Sequence, residues 1–185
     1  YLKDNGPMNP ADVLEIFIPL FETLDEVHKK GMIHRDISPD NIMLMQNGKV
    51  KLMDFGAARD YSEFGEKSLS IMLKPGYAPE EQYRSKGKQG SWTDVYAICA
   101  TMYKCITGVT PDDSMERVFS DELKRPSELG VELSAHQEDA LMKGLANLSL
   151  IEIHVPFIMI PIRSGALAVT IQIITAFIGC IGFNR

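Results

Sequence analysis

Apolar residues return every three or four positions through PADVLEIFIPLFETLDEVHKK, residues 10–30. Leu14, Phe17, Phe21, Leu24 and Val27 form one stripe, the period of a helix with a single buried face. Asn9 is placed to cap it, Pro10 suits its first turn, and Lys29 and Lys30 before Gly31 complete its end. Pro19 interrupts the stripe and predicts a kink. The pattern then shortens to two apolar runs, NIMLM (41–45) and KVKLM (49–53), with Asn47-Gly48 between them. Asn-Gly at that place predicts a β-hairpin. Residues 54–81 show no period and predict a long loop, a length found mostly where loops are functional or disordered. WTDVYAICATMYKCIT, 92–107, is apolar nearly all round, which predicts a buried helix ended by Gly108. Shorter helices are expected at 113–119 and 134–146.

Composition changes this picture at one point. Charges are spread evenly up to Asn147, and beyond it only Glu152, Arg163 and Arg185 carry one. The break predicts a boundary, with a first unit at 1–146 and an apolar tail at 147–185. The 185 residues suffice for one domain with a core. A net charge of −6 gives no reason to expect a nucleic-acid partner. Cys99, Cys105 and Cys180 form no C-x-x-C pair, so they read as reduced thiols of a cytoplasmic protein, neither a disulfide frame nor a zinc site. No secretory signal opens the chain.

The densest chemistry lies in HRDISPDN, residues 34–41. Asp36 and Asn41 precede the first hairpin strand, and Asp54 follows the second. Antiparallel pairing sets those two ends side by side. An aspartate facing an amide oxygen makes a hard-oxygen site suited to Mg²⁺. Asp36 is then available to orient a hydroxyl and take its proton. These are the parts that phosphoryl transfer needs.

His34-Arg35-Asp36 with Asn41, followed by Asp54-Phe55-Gly56, GYAPEE at 76–81 and TDVYAI at 93–98, resembles the eukaryotic-type protein kinase family in its bacterial serine/threonine branch. The resemblance covers 1–146. It implies an α+β, mainly helical fold, the C-terminal lobe of a kinase, with the small lobe absent, since no Gly-rich loop or V-A-I-K-like lysine occurs. It implies ATP and Mg²⁺ as cofactors and a protein substrate, and a chain inactive when taken alone. Asp36 takes the role of catalytic base, and Asn41 and Asp54 those of metal and nucleotide ligands. His34 packs beneath the turn formed by Phe55 and Gly56. Arg35 pairs with a phosphate on the activation loop, where Ser68 and Ser70 are candidate acceptors. Asp94 ties the buried helix to the catalytic-loop backbone. Glu81, rather than Glu80, is the glutamate that pairs with an arginine of the closing turn, but the chain loses the family pattern where that arginine would stand.

Two positions depart from the family pattern together. Most such kinases have lysine two residues after the catalytic aspartate and threonine just before Pro-Gly-Tyr. Here those residues are Ser38 and Lys74. The exchange predicts that the cation serving the transferred phosphate has moved from the catalytic loop to Lys74, with weakened catalysis and a solvated lysine as the competing reading. Two other functions stay open: a small-molecule phosphotransferase, and a membrane-tethered pseudokinase that only binds. For the tail, the abrupt loss of the family pattern reads as the product of a shifted reading frame. A membrane anchor, for which the uncharged run 165–183 is long enough, and a soluble apolar segment are the alternatives.

Overall fold

The computed structural model describes residues 1–45, 47–55, the backbone of 59–60, and 73–147. The tail expected at 147–185, with its candidate span at 165–183, lies outside the described residues beyond Asn147. So do Gly56, Ser68 and Ser70.

The chain opens with one turn of helix, α1 (Leu2–Asn5), and then the amphipathic α2 (Pro10–Lys29). Asn9 caps α2 by accepting the Ala11 N–H through its side chain at 2.9 Å. Val13, Leu14, Phe17, Leu20, Phe21 and Leu24 are buried. The stripe is thus wider than the sequence reading, and its last member, Val27, is half-buried. Pro19 lies within α2 on its exposed side, and the helix continues past it. A proline facing water disturbs no packed neighbour, which is why the stripe survives it.

Two residues of strand, β1 (Met32–Ile33), lead out of α2. The hairpin pairs β2 (Ile42–Leu44) with β3 (Val50–Leu52) in antiparallel register, Ile42 opposite Leu52 and Leu44 opposite Val50. At its tip, the Asn47 side chain accepts the Lys49 N–H at 3.1 Å. Gly48 takes a positive φ of 75°, its N–H meets the Met45 carbonyl at 3.0 Å and the Met45 N–H meets the Lys49 carbonyl at 2.8 Å, so the Asn-Gly pair sits in a longer turn than the two-residue type. Within the stretch read as loop, β4 (Arg59–Asp60) pairs antiparallel with β1. Strands of two residues are too short to show a period, and the sequence reading missed both.

Past the described break comes α3 (Glu80–Tyr83), then the central α4 (Ser91–Thr107). Thirteen consecutive or near-consecutive residues of α4 are buried, from Thr93 to Ile106, because α2, α6, β1 and the turn at Pro126–Leu129 pack around it. Gly108 stops α4 at φ 75° and returns its N–H to the Lys104 carbonyl at 2.9 Å, the left-handed ending that suits glycine. The short α5 (Ser114–Arg117) and α6 (Ala135–Gly144) close the described chain. Ser134 and Gln137 cap α6 reciprocally: each side chain accepts the other's backbone N–H. Leu141 and Leu145 seal the core against α4.

Candidate active site

The 34–41 loop is held from below by one carboxylate. Asp94, in the first turn of α4, is fully buried. Its Oδ2 accepts the His34 N–H and its Oδ1 the Arg35 N–H, each at 2.8 Å. His28, in the last turn of α2, brings Nε2 to 2.7 Å of Oδ2. These bonds hold Arg35 at φ 72°, a left-handed conformation costly for a residue with a Cβ. The Arg35 carbonyl accepts from Gln82 Nε2 at 2.9 Å, so α3 grips the loop from the other side.

His34 has no exposed surface. Its Nδ1 accepts the Asp36 N–H at 3.3 Å, and its Nε2 lies 3.1 Å from the Met53 carbonyl. The two contacts assign the proton to Nε2. Burial pulls the pKa below the ordinary 6.5, against the opposing pull of Asp94, and the ring is therefore neutral. It meets Phe55 edge-on, ring centroids 4.6 Å apart, so the loop and the Asp54-Phe55 turn share a packed contact.

Asp36 is gripped on both oxygens. Asn41 Nδ2 donates to its Oδ2 at 2.9 Å and to its backbone carbonyl at 2.7 Å. Lys74 Nζ lies 3.2 Å from Oδ1. The same amine donates to Ser38 Oγ at 2.9 Å, and Ser38 is fully buried. Arg35, Asp36, Ile37, Lys74, Tyr77 and Gln82 line a small cleft beside this pair.

Hairpin pairing brings the backbone before Asp54 beside Asn41. The Met53 N–H bonds the Asn41 carbonyl at 2.8 Å, so Asp54, the next residue, starts beside Asn41 and turns away at φ 59°. Both amide hydrogens of Asn41 are committed to Asp36, which makes the remaining terminal atom an acceptor oxygen. That oxygen and the Asp54 carboxylate are each the hard-oxygen type of donor that Mg²⁺ takes. Among the described residues no three His, Cys, Asp or Glu side chains group to hold a metal.

Glu80 and Glu81 are both buried but face different partners. Glu80 pairs with Arg84 along α3, while Glu81 Oε1 accepts from Thr93 Oγ1 of α4 at 2.9 Å. Burial raises the Glu81 pKa above 4.5, with its own backbone N–H and Thr93 opposing. Among the described residues its Oε2 has no hydrogen-bond partner. Cys99 is sealed inside α4, and burial pushes its thiol up to about 12.

Sequence reasoning missed His28 and Gln82 as supports of the loop. Nothing in the sequence around His28 announces a partner 66 residues on.

This loop, hairpin and central helix place the chain in a class: it belongs to the protein kinase domain family, which matches it over residues 1–147. Its relatives are bacterial serine/threonine protein kinases. It is 35% identical to the serine/threonine-protein kinase PknL of Mycobacterium tuberculosis over 111 residues, covering 60% of this chain and 28% of PknL. It is 30% identical to PknB of Mycolicibacterium smegmatis over 151 residues, covering 77% of this chain and 24% of PknB. Among solved structures it is similar to one described as PpkA-294 apo form, with a TM-score of 0.65 and 34% identity, covering 78% of this chain and 52% of that one. The fold is thus a protein kinase fold, mainly helical in the described residues, and the chain spans 28% or less of these two curated relatives. Among the described residues no helix is long and apolar enough to cross a membrane.

Proposed function

We propose that the chain supplies the large lobe and catalytic loop of an ATP-dependent protein serine/threonine kinase. The observation that carries this reading is the double hydrogen bond from Asn41 to Asp36 beside the pairing that starts Asp54 next to Asn41. It supports a proton acceptor and two oxygen ligands in one place, as transfer of a γ-phosphoryl group to an alcohol requires. Asp36 accepts the proton of a substrate serine or threonine hydroxyl as its oxygen bonds to phosphorus. Asn41 holds Asp36 in position with its amide hydrogens, and with Asp54 offers oxygens to Mg²⁺. Bound there, Mg²⁺ would neutralise phosphate charge. His34, neutral, and Asp94 fix the loop backbone beneath.

Radiolabelled ATP and a mixed protein substrate test this, with the chain expressed together with its flanking genomic sequence. Phosphoserine or phosphothreonine that disappears in Asp36→Asn supports the reading. Label on a small alcohol acceptor instead of protein turns it to a phosphotransferase. Nucleotide binding without any transfer turns it to a pseudokinase.

A further inference from the structure

Lys74 is the cation of this site that does not belong to the 34–41 loop. It stands ahead of α3, and its carbonyl accepts the N–H groups of Tyr77 and Ala78, each at 3.0 Å. That turn fixes the base of the side chain, and the amine reaches back to Ser38 Oγ and Asp36 Oδ1. The side chain keeps 30% of its surface exposed, so the ammonium stands at the lip of the cleft. Ser38 has no exposed surface. Its hydroxyl occupies the place where a longer cation on the loop would meet the Lys74 amine.

The geometry points to Lys74 as the group that carries positive charge to the transferring phosphoryl, with Ser38 as the positioning residue that anchors its amine. This rests on the kinase reading above. In the step, the substrate oxygen bonds to the γ-phosphorus. The bond from that phosphorus to the bridging oxygen breaks, and its electron pair leaves with ADP. The hydroxyl proton passes to Asp36. Lys74 donates a hydrogen bond to a non-bridging oxygen of the moving group. Held at Ser38 Oγ, the amine already stands beside Asp36 Oδ1, so the positive charge and the base are set side by side before transfer. A preorganised donor aimed at developing charge is worth about 10²–10³ in kcat.

The test uses the chain with its flanking genomic sequence. Lys74→Met is expected to lower kcat about 100-fold, with KM for the protein substrate little changed. Returning the cation to the loop in the double variant Lys74→Met/Ser38→Lys is expected to recover about a tenth of the wild-type rate or more. A Lys74→Met rate within about threefold of wild type overturns the proposal, as does failure of the double variant to gain on the single one. A second readout needs no turnover. An acyl-phosphate derivative of ATP, which acylates lysine amines beside its terminal phosphate, is expected to modify Lys74 and to be blocked by excess ATP. Lys74 left unmodified overturns the assignment. Modification of Lys74 in a chain that phosphorylates no protein upholds the placement of the lysine and fails the kinase reading.

Discussion

Removing the Asp94 carboxylate isolates the support of the catalytic loop. In Asp94→Ala, the buried N–H of His34 and the part-buried N–H of Arg35 lose their acceptor. Each orphaned buried donor costs about 1–3 kcal/mol. The His28 contact is lost as well, and Arg35 no longer has the bond that holds it at φ 72°, where strain of about 1–3 kcal/mol relaxes once the restraint goes. That relaxation offsets part of the loss by letting the loop change shape. The net expectation is about 3–4 kcal/mol, a large share of the roughly 5–15 kcal/mol that holds a domain together. Asp94→Asn keeps one carbonyl acceptor and sets an amide against the other donor, so about half that loss is expected. Urea unfolding followed by the single tryptophan, Trp92, two residues before the mutated site, measures it. With a slope of about 1–3 kcal/mol/M, the Ala variant should shift the midpoint by about 2 M. Raising the salt concentration should leave the shift unchanged, since the contacts are buried. The exposed Asp112, changed to alanine, serves as control and should move stability by no more than about 0.5 kcal/mol. A midpoint shift for Asp94→Ala as small as the control's would refute the account of the loop.

Two further variants probe the packing around α3. Glu81 has a raised folded pKa, so its contribution to stability is fully present below pH 4.5 and is lost as pH rises through the folded value. Glu81→Gln keeps the acceptor for Thr93 and should gain on wild type in melting temperature between pH 4.5 and pH 8, by about 2–4 °C for each kcal/mol; an equal difference at both pH values speaks against the buried carboxylate. Gly76 takes φ 82°, and a Cβ there would stand 2.4 Å from the Pro111 carbonyl oxygen. Gly76→Ala should therefore destabilise by about 2 kcal/mol or more and loosen the turn that bases Lys74, and a melting curve matching wild type would contradict that.

The parts of the fold legible in the sequence are those with a repeating period or a strong end signal. The stripe from Leu14 to Leu24, the cap at Asn9, the buried run of α4 and the stop at Gly108 are all local, and local signals survive in a single sequence. The hairpin was legible as a pairing, but the length of its turn was not, because the strands last bond at Met45 and Lys49, outside the Asn-Gly pair. The pairing of β1 with β4 was not legible, since two residues carry no alternation. Within the site, the grouping of Asp36, Asn41 and Asp54 follows from a loop, a hairpin and their order. The supports do not: His28 and Gln82 act across separations of 66 and 47 residues, through contacts made only once the helices have packed. The contact of Lys74 with Ser38 left a trace only because both positions change character together.

The two thiols of α4 give this protein an internal clock. Cys99 and Cys105 lie on one helix, both shielded, with pKa values pushed by burial up to about 12 and 11. A thiol reagent can reach them only when α4 comes apart from its neighbours. With Cys180 replaced by serine, the rate of their modification under native conditions therefore counts openings of the core. A site lying six residues nearer the helix end will reveal whether α4 frays from Gly108 or leaves the core whole.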